Sequence, residues 1–185
     1  MRILLMLTLM ASPFAPALAD DYADTIKVFR DAGQSGKFFS KSYGYAVFPT
    51  IGKGGIGIGG AHGSGRVYKK GAYVGDTKMT QLTVGLQLGG QAYSQVIFFE
   101  DQRAFDEFTS GNFEFGAQAT AVAITAGASA QAGTGGTSSG ASGTQKKATT
   151  AGGYQHGMAV FTIAKGGLMY EASIGGQKFS YKPKK

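Results

Sequence analysis

Two periodicities divide the chain. Between Asp20 and about Ser42, Tyr22, Ile26 and Phe29 recur at spacings of four and three, while Asp24, Lys27, Arg30 and Asp31 fall largely elsewhere. That spacing predicts an amphipathic helix, which Gly33 and Gly36 end or loosen. From Tyr45 onward the period drops to two. Leu82, Val84, Leu86 and Leu88 alternate with Thr83, Gly85 and Gln87, the pattern of a strand buried on one face. Tyr93 to Phe99 reads as a further apolar strand. Asp101 then supplies a helix cap, Phe105 and Phe108 share one face, and Gly111 stops the turn, so a short helix is expected near 101–110. Ala117 to Ala130 reads as a strand, with Val122 and Ile124 one strand period apart, although its alanine content also suits a helix.

One phrase occurs twice. AVFPTIGKGGIGIGG starts at Ala46 and AVFTIAKGGLMYEAS at Ala159, and the two align with a single gap at Pro49. Each reads as an apolar strand, a Lys-Gly-Gly turn and a second apolar strand, so two equivalent hairpins are expected to build one sheet surface. In the first copy, glycine alternates with isoleucine through Gly55-Ile56-Gly57-Ile58-Gly59, which leaves one face almost without side chains. Something must cover that face closely, and tight internal packing is the commonest cover. Gly63, Gly65, Gly71 and Gly75 are expected to punctuate short strands around Arg66 to Lys70 and Ala72 to Val74. The pattern adds up to an α+β fold: a largely antiparallel, strongly curved or barrel-like sheet, an N-terminal helix and the short helix near 101–110.

Two segments stand outside that fold. Residues 1–19 have the layout of an export signal, with Arg2, an apolar run from Ile3 to Met10, prolines at 13 and 16, and Ala17-Leu18-Ala19 as an A-x-A cleavage site. The expectation is an exported protein, periplasmic or extracellular, with residues 20–185 as a single domain. Residues 133–153 are rich in Gly, Ser and Thr with no large apolar side chain, and are expected to be a flexible insertion. The chain contains no cysteine, so its core must hold it without disulfides. Its net charge is +7. For an exported protein this points toward anionic lipid, glycan or another protein rather than nucleic acid.

Motifs that carry chemistry elsewhere fail here on context. Gly55-x-Gly57-x-x-Gly60 matches the dinucleotide fingerprint, but strand pattern follows it where that fingerprint needs a helix. Gly136-Thr137-Ser138-Ser139-Gly140 matches the hydrolase elbow but lies inside the low-complexity insertion. His62 and His156 have no metal-ligand spacing, and each is expected in a turn. Asp101, Asp106, Glu107 and Glu114 cluster around the short helix, where a cap and a solvated face explain them. No nucleophile, base and orienting group emerge together, so the chain reads as a binding protein, not an enzyme, with neither cofactor nor metal.

Four long segments, YGYAVFPTIGKGGIGIGGAHGSGRVY, TQLTVGLQLGGQAYSQVIFFED, FTSGNFEFGAQATAVAITAGASA and GMAVFTIAKGGLMYEASIGGQKFSY, together resemble the SYLF domain family, specifically its exported bacterial branch. The resemblance covers most of Tyr43 to Tyr181. It implies a lipid-binding domain, since eukaryotic relatives bind phosphoinositides and fungal ones also bind and bundle actin. Actin is an unlikely partner for an exported protein, and the cysteines of the FYVE zinc module found beside some eukaryotic relatives are missing. The expected function is non-enzymatic binding of anionic phospholipid at a membrane surface of the bacterial envelope. The alternative is a protein-interaction or structural module with an envelope protein as partner.

Lipid binding would call on Lys53 and Lys165, which occupy equivalent turns and are expected to project from one edge of the sheet beside glycines whose backbone N–H groups approach a headgroup. Arg66, Lys69 and Lys70 would extend the patch. Phe38 and Phe39, next to Lys37 and Lys41, would supply apolar insertion, or else dock the end of the helix on the sheet.

Overall fold

The computed structural model describes residues 20–85, 90–124, 153–165 and 173–185. The signal-like segment, residues 133–152 of the insertion, 125–130 of the alanine-rich stretch and the Gly166-Gly167 turn lie outside the described residues. The expected first helix is three pieces: α1 (Asp21–Asp31), α2 (Gly33–Gly36) and α3 (Phe38–Lys41). The break comes at Ala32, whose backbone is extended, and the glycines that follow carry the chain only one turn at a time. Asp20 caps α1 by accepting from the Tyr22 N–H.

The strands are β1 (Gly44–Lys69), β2 (Ala72–Gly85), β3 (Gln91–Phe99), β4 (Phe113–Glu114), β5 (Val122–Ile124), β6 (Met158–Lys165) and β7 (Lys178–Pro183). Between β3 and β4 lies α4 (Gln102–Phe108), with the Asp101 side chain accepting from the Ala104 N–H at 2.9 Å as expected. Among the described residues these strands form one seven-stranded sheet in the order β4-β7-β2-β1-β3-β6-β5, antiparallel except where β5 runs parallel to β6. The fold is α+β around a strongly curled sheet.

The curl is concentrated in β1. At about 3.3 Å per residue, a straight strand of its 26 residues would run roughly 86 Å. Instead it folds back on itself around Gly54 to Gly59, so that its first half pairs with β3 and its second half with β2. A Cβ on Gly65 would lie 2.7 Å from the Phe48 ring and 2.8 Å from the Val47 carbonyl oxygen, and one on Gly63 would lie 2.6 Å from Ile51 Cγ1. At the bend a Cβ on Gly59 would meet the Gly54 carbonyl at 2.5 Å. The cover over the glycine-lined face is therefore the other half of the same strand. Glycines expected to end strands instead let one long strand turn a corner, and His62, expected in a turn, is an exposed strand residue paired with Thr80. His156 does sit in a turn, with φ +51 followed by Gly157 at φ +80.

Two apolar cores result. The inner one, inside the curl, gathers Phe48, Ile51, Val67, Met79, Ile97, Phe99 and Phe179 with Phe105 and Phe108 of α4. It also holds a reciprocal amide pair, Gln95 and Gln177, bonded at 2.9 and 3.2 Å, with Gln177 also donating to the Tyr93 hydroxyl. The outer core lies between β1, β3 and β6 on one side and the N-terminal helices on the other, built from Val47, Val96, Phe98, Phe161 and Ile163 with Phe29 and Phe38.

The repeated phrase explains the division. Both copies flank β3, one on each side, but one residue out of step: Val47 and Phe161 both oppose Val96. Side chains alternate along a strand, so a one-residue slip turns every equivalent pair to opposite faces. Phe48 and Ile51 enter the inner core, whereas their counterparts Phe161 and Ile163 enter the outer one. The gap at Pro49 is a β-bulge between Phe48 and Ile51 that absorbs the extra residue and keeps the offset at one.

Candidate functional site

The fold-back of β1 defines two rims of the curled sheet. One is formed by the Gly54–Gly59 bend, with Lys53 paired to Gln91 and Lys165 paired to Ala92 beside it. The other carries the start of β1, the β1–β2 turn and α3. They are separated by the first half of β1, about 30 Å at 3.3 Å per residue.

At the bend rim, Lys53 and Lys165 lie two strands apart at nearly the same height, as expected, but the slip between the copies sends them to opposite faces. They are not one paired headgroup site. The Lys165 amine donates to Thr50 Oγ1 at 2.8 Å across the top of β3, which holds it at the rim. The same rim carries two exposed apolar side chains: Ile58, 70% exposed, and Leu82, which the alternation predicted on a buried face but which is 78% exposed because, among the described residues, no element covers that face of β2; they lie on neighbouring strands, two residues apart in register. These are large apolar side chains left in water on the rim that also carries two cations. The hint lay in the glycine–isoleucine alternation, which was read for its bare face instead of its other one.

Phe38 and Phe39 do not belong to an insertion surface. Phe38 is only 5% exposed and packs against Phe98, Phe161 and Tyr154 at centroid distances of 5.1–5.3 Å. Phe39 stacks edge-on against Tyr45 and Phe98. The physical reason is that α3 closes the outer core, so its aromatic pair docks the helix on the sheet.

Arg66, Lys69 and Lys70 lie toward the far rim, away from Lys53 and Lys165. Arg66 is committed internally, its guanidinium 4.1 Å from the Tyr22 ring centroid, 4.9 Å from that of Tyr73, and 3.7 Å from the Asp20 carboxylate. It fastens the start of α1 to the β1–β2 hairpin. Burial raises the Tyr22 and Tyr68 phenols beside it, with Arg66 pulling the other way. The Lys69 and Lys70 amines lie 5.4 and 5.6 Å from the Tyr43 ring centroid.

Lys70 and Gly71 form a two-residue hairpin turn with φ of +50 and +83. Such turns favour Asn-Gly, and a lysine in the left-handed region costs about 1–2 kcal/mol. Next to that turn is a cavity of about 300 Å³ lined by Arg30, Phe39, Ser40, Ser42, Tyr45 and Lys70, together with the backbone of Gly44 and Gly71. Arg30 is held over the Phe39 ring at 5.1 Å, and no carboxylate is among the lining residues. Ser42 Oγ is sealed from solvent behind the lining and has no hydrogen-bond partner, an omission that costs about 1–3 kcal/mol.

Among the described residues there is no group of His, Cys, Asp and Glu able to hold a metal, and no helix long and apolar enough to cross a membrane. Among the described residues, the cations and exposed apolar side chains sit at the rims of the sheet, an arrangement suited to binding. Residues 80–184 match the Ysc84 family, described as "Las17-binding protein actin regulator", and the chain belongs to this family, also called SYLF. It is 31% identical over 160 residues, 85% of its length, to "Beta cell expansion factor A" of Aeromonas veronii, and spans about half (53%) of that relative.

Proposed function

We propose that this protein binds anionic phospholipid without catalysis, at a periplasmic or extracellular membrane surface, through the rim formed by the β1 bend. The observation that carries this reading is the exposure of Ile58 and Leu82 on the rim that also carries Lys53 and Lys165. Two lysines near an anionic surface contribute about 2 kcal/mol, which alone leaves binding weaker than millimolar. Burying Ile58 and Leu82 adds about 1.5–3 kcal/mol each, enough to bring the sum to about 5–8 kcal/mol and the upper bound on affinity to the submillimolar-to-micromolar range. On opposite faces, the two lysines meet the lipid surface separately instead of chelating one headgroup. Actin, named in the family description, is not the partner expected for an exported chain.

Flotation with phosphatidylglycerol vesicles, against phosphatidylcholine vesicles, tests the reading. Binding to the anionic vesicles should weaken with salt. Ile58→Ser/Leu82→Ser should lose binding at least tenfold with an unchanged circular dichroism spectrum, and Lys53→Gln/Lys165→Gln should lose the preference for anionic lipid. If both double variants float like the parent protein, the rim is not the membrane contact; vesicle-independent capture of one envelope protein would favour the interaction-module alternative instead.

A further inference from the structure

We infer that the cavity at the opposite rim is a second site, separate from the membrane contact above, for a phosphate monoester group. Its occupant must be anionic, because Arg30 and Lys70 both line it and no carboxylate does. The two cations are of complementary kinds: a guanidinium 5.1 Å over the Phe39 ring, which presents a planar fork, and an ammonium on a hairpin tip, 5.6 Å from the Tyr43 ring centroid. A dianionic terminal phosphate, with three free oxygens, suits that pair better than a singly charged diester.

The remaining lining supplies donors. Ser40 brings a hydroxyl that can exchange its 3.3 Å bond to the Lys37 carbonyl for one to a phosphate oxygen, whereas Ser42 Oγ is sealed behind the lining and takes no part. Burial raises the Tyr45 phenol, so its hydroxyl stays protonated at neutral pH. Lys70 supplies an independent observation. A left-handed backbone at a non-glycine residue is retained where it places a functional side chain, and here asparagine would make the same turn at lower cost. About 300 Å³ admits a phosphate with a small attached group such as glycerol.

Phosphate of this kind could be free or carried by a lipid, and the experiment separates the two. Isothermal titration of the full chain with glycerol phosphate, in buffer matched for ionic strength with chloride, should show saturable one-to-one binding. Lys70→Asn and Arg30→Gln should each weaken it at least tenfold, the former without lowering Tm because the turn is kept. Ile58→Ser/Leu82→Ser should leave it unchanged, which distinguishes failure of this site from failure of the membrane rim. In the lipid arm, Lys70→Asn should reduce flotation with phosphatidic acid vesicles but not with phosphatidylglycerol vesicles of equal charge. A response in the lipid arm alone assigns a lipid headgroup, and one in the soluble arm alone assigns a free phosphate. No binding of glycerol phosphate together with no effect of Lys70→Asn on phosphatidic acid vesicles overturns the proposal, as does equal binding by the parent, Lys70→Asn and Arg30→Gln.

Discussion

Phe38 shows how far a residue's neighbours in sequence can mislead about its neighbours in space. Flanked by lysines, it reads equally as an insertion anchor and as a docking residue; its contacts with Phe98 and Phe161 decide for docking. Phe38→Ala should therefore cost about 3–5 kcal/mol of stability, measured by denaturant unfolding. A loss below about 1 kcal/mol would mean that α3 is not anchored through this ring. Tyr93 gives a second residue-scale expectation. Burial pushes its phenol up to about 12, partly countered by the Gln177 amide, and burial likewise pushes Tyr154 up to about 12. Since the folded state favours the neutral phenol, these groups contribute fully below about pH 10 and their contribution is lost as pH climbs from 10 toward 12. Tyr93→Phe should flatten that alkaline decline in stability, and an unchanged slope between pH 10 and 12 would contradict it. Of the cationic residues, the sequence marked Lys70 by charge alone. Its left-handed backbone was a property of the turn that composition does not display.

Elements were legible where one signal dominated. The cap at Asp101, the apolar run of β3 and the second apolar phrase at β6 all stand where the pattern put them, because local and tertiary preferences agree there. The gap at Pro49 corresponds to the bulge in β1, since proline lacks the N–H a ladder needs. Strand length was not legible. Gly63 and Gly65 look like strand ends, and only the facing chain segment reveals that they make room for Ile51 and Phe48. Gly65→Ala should destabilise the protein by about 1–3 kcal/mol through overpacking, while Gly54→Ala, with open space at its Cβ position, should change stability by less than about 1 kcal/mol. Equal effects in thermal unfolding would show that the two halves of β1 do not meet there.

Over the whole molecule, the sequence disclosed that a phrase was duplicated and that the duplicates share a sheet, but not their phase. Phase depends on hydrogen-bond register with β3, a long-range quantity that leaves no mark in either copy. For this reason the expected lysine pair became two residues on opposite faces, and the cationic positions divided between two distant rims. The candidate membrane contact thus came from Ile58 and Leu82, whose exposure depends on what the fold leaves uncovered.

The slip has a further consequence for the two copies. Two segments of similar sequence furnish different interiors, Phe48 beside Phe179 within the curl and Phe161 beside Phe38 beneath the helices. Each accumulates changes under its own steric demands, so neither can be transplanted into the other's place without turning its side chains the wrong way. Differences between the copies are then an outcome of geometry, and their likeness marks what both interiors tolerate.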